Sequence, residues 1–156
     1  MKKIDLSVII PIYNEQESIV ELYQQIVKSI KNKLEYELIF INDGSTDNSF
    51  NIINELLLND SNIKIINFNS NKGKSEALNY GFNYSSGEII ITIDGDLQDD
   101  PEEFFSLIEK INSGSDMVTG WKKDRKDPIS KKILSKIFNY ILRLLTGIKI
   151  HDFNCG

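Results

Sequence analysis

Residues 89–103 read I-I-I-T-I-D-G-D-L-Q-D-D-P-E-E. An apolar, β-branched run stops at Asp94. Four acids and a glutamine then fall within seven positions: Asp94, Asp96, Gln98, Asp99 and Asp100. An apolar run of this length bounded by polar residues reads as a buried strand. Carboxylates at the exit of such a strand stand where open α/β sheets bind ligands. Asp94 and Asp96 are two positions apart, so an extended segment would turn them to the same side. Two adjacent carboxylates repel unless a proton or cation lies between them. A hard divalent ion with oxygen ligands is the natural occupant. The plain alternative is that the acids solvate a loop and cap a helix, which is the role expected for Asp99 and Asp100. Asp100-Pro101-Glu102-Glu103 has an Asp N-cap, a Pro in the first turn and an acid at the third position.

Outward from this stretch, strands and helices alternate. Strands are expected over residues 6–12, 36–41, 63–68 and 88–94, with a short fifth over 117–120. Helices are expected over about 16–31, 47–58, 74–84, 101–114 and 128–145. The first is read with an N-cap at Asn14 and an acid three residues on at Glu17. Its apolar positions Ile19, Leu22, Tyr23, Ile26, Val27 and Ile30 follow helical spacing. Alternation of this kind predicts a parallel sheet with helices on both faces. The polar clusters Tyr13-Asn14-Glu15, Asp43-Gly44-Ser45 and Asp94-Gly95-Asp96 then fall at strand exits along one edge.

A length of 156 residues suits one domain. A net charge of −5 argues against a general nucleic-acid binder. The one cysteine, Cys155, permits no internal disulfide. No apolar run approaches 18 residues, so no membrane-spanning helix is expected.

Four motifs taken in order, S-V-I-I-P-I-Y-N-E, F-I-N-D-G-S-T-D-N-S, N-K-G-K-S-E-A-L-N-Y-G-F and D-G-D-L-Q-D-D-P-E-E, resemble the family 2 glycosyltransferases. These are nucleotide-sugar enzymes of the GT-A fold, with a Rossmann-like, mostly parallel sheet and a D-x-D metal motif. The segments G-W-K-K-D-R-K-D-P and H-D-F-N-C-G look like the branch that glycosylates polyprenyl phosphates.

The resemblance implies a single catalytic domain over residues 1–156, in a branch whose members continue further at the C-terminus. It matches Pro11, Tyr13 and Glu15 to the first nucleotide-binding loop and Asp43 to the acid that hydrogen-bonds the base. An Asx-type turn with Gly44 is the alternative for Asp43. Lys74, before a helix in a Gly-containing loop, suits phosphate contact or plain solvation. Asp94 matches a residue shared between nucleotide and metal, and Asp96 and Gln98 match ligands of Mg²⁺ or Mn²⁺. Asp96 and Asp152 are the candidate catalytic residues, Asp152 as base or organiser on the acceptor side.

The implied reaction is inverting transfer of a sugar from a nucleotide diphosphate to a polyprenyl phosphate. The G-W-K-K-D-R-K-D-P segment favours UDP- over GDP-sugars. The implied setting is the cytoplasmic membrane face, reached through C-terminal segments. The basic residues from Lys122 to Lys136 form either a phosphate- and lipid-facing patch or a solvated face. The apolar face of residues 133–145 is expected to pack on further chain, a membrane or a second copy. The alternatives are a saccharide hydroxyl acceptor and a nucleotide-binding module without catalysis.

Overall fold

A computed structural model describes residues 3–120. The chain divides into two compact units, Met1–Phe105 and Ser106–Gly156. The first unit is built on four strands: β1 (Leu6–Ile12), β2 (Tyr36–Asn42), β3 (Ile63–Asn67) and β4 (Ile89–Thr92). They form one sheet in the order β3-β2-β1-β4, with every pair parallel. The helices are α1 (Ile19–Ile30), α2 (Ser49–Asn59), α3 (Lys74–Tyr84) and α4 (Phe104–Asn112), the last preceded by a 3₁₀ turn at Pro101–Glu103.

β1 and β2 are buried along nearly their whole length. Successive side chains point to opposite faces, so burial of every position means that both faces are covered. On one face Ile9, Ile39 and Ile41 pack with Phe68 and Ala77 beneath α3. Gly81 permits that approach, because a Cβ there would lie 2.4 Å from Ile9 Cγ2. On the other face Val8, Ile10, Leu38 and Phe40 are fully buried, as are Ile19, Leu22, Ile26 and Ile30 of α1. Each such aliphatic side chain contributes about 2 kcal/mol by removal from water.

The strand entries are tied by a buried polar cluster. Glu37 accepts from Ser7 Oγ (2.6 Å) and Ser86 N (2.6 Å) and pairs with Lys64 (2.5 Å). Gly87 N donates to Ser7 Oγ (2.8 Å), fixing where β4 begins. Burial pushes the Glu37 carboxyl up. The Lys64 ammonium, the Ser7 hydroxyl and the Ser86 N–H outweigh that and hold it below its ordinary value.

Three expectations are corrected. Residues 117–120 form no strand; four residues make a marginal strand unless a neighbour supplies a ladder. Asn14 is not the cap of α1. That helix starts after Ser18 without a side-chain cap, while Asn14 takes a left-handed φ of 57° and turns its side chain to another loop. β4 stops at Thr92, so Asp94 and Asp96 are not both in extended backbone. The helix starting at Lys74 and ending at Tyr84 is as read from the sequence.

Candidate active site at the β1–β4 switch point

The chain runs from β1 outward to β2 and β3, then returns across the sheet to place β4 on the far side of β1. The loops leaving β1 and β4 therefore part in opposite directions. A crevice opens between them at the strand exits, where open α/β sheets bind ligands. A cleft of about 290 Å³ lies there. Pro11, Tyr13 and Glu15 line it from β1, and Asp94, Gly95 and Asp96 from β4. Asp43 reaches it from β2, and Asn71, Gly73 and Lys74 from the loop after β3.

The first two loops are stitched together. Asn14 N donates to Ser45 Oγ (3.0 Å), and Thr46 N donates back to Asn14 Oδ1 (2.8 Å). Glu15 N donates to the buried Ser49 Oγ (3.0 Å). Gln16 N donates to Asp47 Oδ2 (3.1 Å), and Asn48 N to Gln16 Oε1 (2.9 Å). These bonds explain the polar run after β2: Ser45, Asp47 and Ser49 satisfy backbone donors of the neighbouring loop. Burial pushes the Asp47 carboxyl up, but N–H and hydroxyl donors from Ser49 and Gln16 hold it below its ordinary value.

Asp43 is only 3% exposed, and its carboxylate grips the third loop. Oδ1 accepts from Lys72 N (2.7 Å) and Oδ2 from Gly73 N (2.9 Å). The Asx-type contact expected of Asp43 is made by its neighbour: Asn42 Oδ1 accepts from Ser45 N (3.3 Å). Gly44, at φ 68°, lets the same loop lie against it, since a Cβ would fall 2.4 Å from the Ser70 carbonyl carbon. The Lys72 ammonium rests over the rings of Phe68 (4.6 Å) and Tyr80 (5.4 Å). Loop 70–73 is thus anchored at three points, and it delivers Lys74 into the cleft.

Lys74 Nζ lies 2.6 Å from Asp94 Oδ1, both side chains partly exposed. The backbone pairing of β4 continues one residue past the strand, with Ile93 N bonded to Ile9 O (3.1 Å), so Asp94 follows directly on the sheet edge. Asp96 sits in the turn beyond, where its Oδ1 accepts from Gln98 N (3.0 Å). Gly95 keeps that turn against β1, because a Cβ would meet Ile12 Cδ1 at 2.8 Å. Leu97 closes the turn at a left-handed φ of 61°, a conformation that costs a branched residue about 1–3 kcal/mol.

Asp94 and Asp96 thus share one cleft wall through a turn rather than through strand alternation. Among the described residues no group of three His, Cys, Asp or Glu side chains is placed to hold a metal ion. Two carboxylates on an open wall do not make a closed structural metal site. They fit a Mg²⁺- or Mn²⁺-type ion that completes its shell with phosphate oxygens and water.

Pro11, Tyr13, Glu15, Asp43, Lys74, Asp94 and Asp96, all singled out from the sequence, converge on this cleft. Gln98 lies outside its wall and contributes a backbone N–H to Asp96. Asp152, the basic residues after Gly120 and the apolar face of 133–145 lie outside the described residues. Asn71, Gly73 and Gly95 were not singled out. For the two glycines, the signal was a glycine inside a polar loop.

The family model described as Glycosyl transferase family 2 matches residues 7–156. The chain is 38% identical over 152 residues to undecaprenyl-phosphate 4-deoxy-4-formamido-L-arabinose transferase of Proteus mirabilis (strain HI4320). That match covers 96% of this chain and 47% of the relative, so the chain spans about half the relative's length. Among solved structures, S. aureus TarS 1-349 superposes with a TM-score of 0.64 at 27% identity, over 81% of this chain and 39% of TarS 1-349. The same protein in complex with UDP gives 0.60 at 26%, over 70% and 32%. A mannosyltransferase from Pyrobaculum calidifontis, solved with GDP-Man and Mn²⁺, shares the fold at a TM-score of 0.55 and 23% identity, over 62% and 28%. The fold is GT-A, a parallel sheet flanked by helices.

Proposed function

Since the chain belongs to glycosyl transferase family 2, we propose that it carries the donor-binding part of an inverting glycosyltransferase. This enzyme moves a sugar from a nucleoside-diphosphate donor, UDP-linked in preference to GDP-linked, to a polyprenyl phosphate. The observation that carries the reading is the convergence of Asp43, Lys74, Asp94 and Asp96 on one cleft at the β1–β4 switch point. The acceptor follows from the relative whose name specifies undecaprenyl phosphate. The preference for UDP has support from the complex of TarS with UDP.

In this reading Tyr13, 46% exposed on the cleft rim, Pro11 and Asp43 border the base and ribose. Lys74 faces the diphosphate. Asp94 and Asp96 would hold a Mg²⁺ or Mn²⁺ ion, which when bound supplies charge neutralisation for the departing diphosphate. A phosphate oxygen of the acceptor forms a bond to the anomeric carbon as the bond from that carbon to the diphosphate breaks. The nucleoside diphosphate leaves with the electron pair, and the anomeric configuration inverts. An acceptor phosphate is already anionic near neutral pH, so orientation matters more than a strong base, and Asp152 serves as an organiser.

Among the described residues no helix is long and apolar enough to cross a membrane. In this reading a lipid acceptor would be met at the cytoplasmic face of a membrane, a setting that the name of the undecaprenyl-phosphate relative supports only as far as a membrane lipid. The test is transfer of labelled sugar from UDP- and GDP-sugars to undecaprenyl phosphate in detergent, with the full-length protein. Lipid-linked product supports the proposal. Label appearing only on saccharide hydroxyl acceptors overturns the acceptor assignment.

A further inference from the structure

Lys74 and Asp94 are both on the cleft wall, and in the proposed donor chemistry Lys74 would meet the diphosphate and Asp94 the metal. They are bound to each other at 2.6 Å. An ammonium at that distance takes up one carboxylate oxygen of Asp94 and neutralises the charge that would attract a divalent ion. The backbone that carries Lys74 is held in place. Asp43 fixes Lys72 N and Gly73 N, Gly44 seats the loop, and α3 begins at Lys74 itself. The long lysine side chain can still swing between partners within the cleft.

We infer that the Lys74–Asp94 ion pair is an exchange contact that couples metal binding to nucleotide binding. Before donor arrives, Lys74 stands in for the cation at Asp94. A diphosphate draws the ammonium to its own oxygens and frees Asp94 for the metal. Metal and nucleotide therefore enter as one unit, and the metal alone binds weakly. The inference rests on the proposed donor chemistry and gives Lys74, a diphosphate-binding residue within it, a second partner in Asp94. By reciprocity, whatever the nucleotide adds to metal affinity, the metal adds to nucleotide affinity.

The experiment is Mn²⁺ binding followed by the electron paramagnetic resonance signal of free Mn²⁺, on wild type, Lys74→Gln and Lys74→Arg, with and without UDP. Lys74 is a half-exposed residue at a helix start, so neither change threatens the fold. Lys74→Gln is expected to bind Mn²⁺ alone about five-fold more tightly than wild type and to lose most of the UDP-induced gain, a coupling at the low end of the usual range. Lys74→Arg keeps the pair and stays close to wild type. Wild type that shows UDP-linked Mn²⁺ binding, beside a Lys74→Gln protein whose affinity for Mn²⁺ alone is unchanged or weaker, overturns the exchange and leaves the donor reading standing. Wild type with no UDP-linked Mn²⁺ binding overturns both.

Discussion

Replacing Asp43 by Asn probes what this residue does. Both carboxylate oxygens accept from backbone N–H groups, at 2.7 Å from Lys72 and 2.9 Å from Gly73, in a site 3% exposed. Asparagine has one acceptor oxygen and one NH₂ group. Whichever way the amide turns, it satisfies one N–H and points a donor at the other. The change removes one charge-assisted bond, worth about 1.5–3 kcal/mol, and leaves a buried donor facing a donor at about 1–3 kcal/mol more. Some relaxation of loop 70–73 recovers part of this, so a loss of about 3 kcal/mol is expected. With a urea m value of about 2 kcal/mol/M, the unfolding midpoint falls by about 1.5 M. Circular dichroism over a urea series reads this directly. Donor affinity falls as well, because the loop that carries Lys74 loosens. An Asp43→Asn protein that unfolds at the wild-type midpoint while losing nucleotide binding would refute the clamp and return Asp43 to a purely base-contacting role.

Gly44→Ala puts a Cβ 2.4 Å from the Ser70 carbonyl carbon at a φ of 68°, and should cost about 3 kcal/mol in the same urea assay from overlap and left-handed strain together; a neutral substitution would mean that the loop yields freely. Glu37 has its carboxyl held below its ordinary 4.5. Its contribution is therefore fully present above the unfolded value and lost as pH falls through the lower folded one. Stability measured from pH 6 down to pH 3 should decline over that window in wild type and decline less in Glu37→Gln, which is already weakened at pH 6. Equal slopes in the two proteins would contradict the role of the Lys64–Glu37–Ser7 cluster. Asp96→Asn should preserve the unfolding free energy within about 0.5 kcal/mol, as expected of a surface change, while abolishing metal-dependent donor binding.

The elements were legible wherever period and punctuation agreed. The apolar runs of β1 and β2 and the helix that follows Gly73 carry their boundaries in composition alone, because burial on both faces demands unbroken apolar strands. The position of the cleft was legible too, since alternating elements force strand exits to one edge. The internal wiring was not. Asn14 has the residue type of a helix cap, but its side chain is spent on Thr46 N, in a loop more than thirty residues away; local pattern cannot see such a partner. Asp43 is followed by glycine and reads as a turn residue, yet the turn contact belongs to Asn42 and the carboxylate to Lys72 and Gly73. The acids after β4 were expected to share a side by strand alternation. They share a wall because Gly95 and Leu97 fold the chain into a tight turn, a tertiary fit against Ile12 that spacing alone does not encode.

Calorimetric titration with UDP and GDP, each with and without Mn²⁺, on wild type and Asp96→Asn tests the donor site most directly. Wild type should bind UDP more tightly than GDP, with affinity that rises when Mn²⁺ is present. The Mn²⁺-dependent increment should vanish in Asp96→Asn. Binding of neither nucleotide by the wild-type protein, or a Mn²⁺ increment unchanged by the loss of Asp96, would contradict the assignment of the β1–β4 cleft as a metal-assisted nucleotide-sugar site.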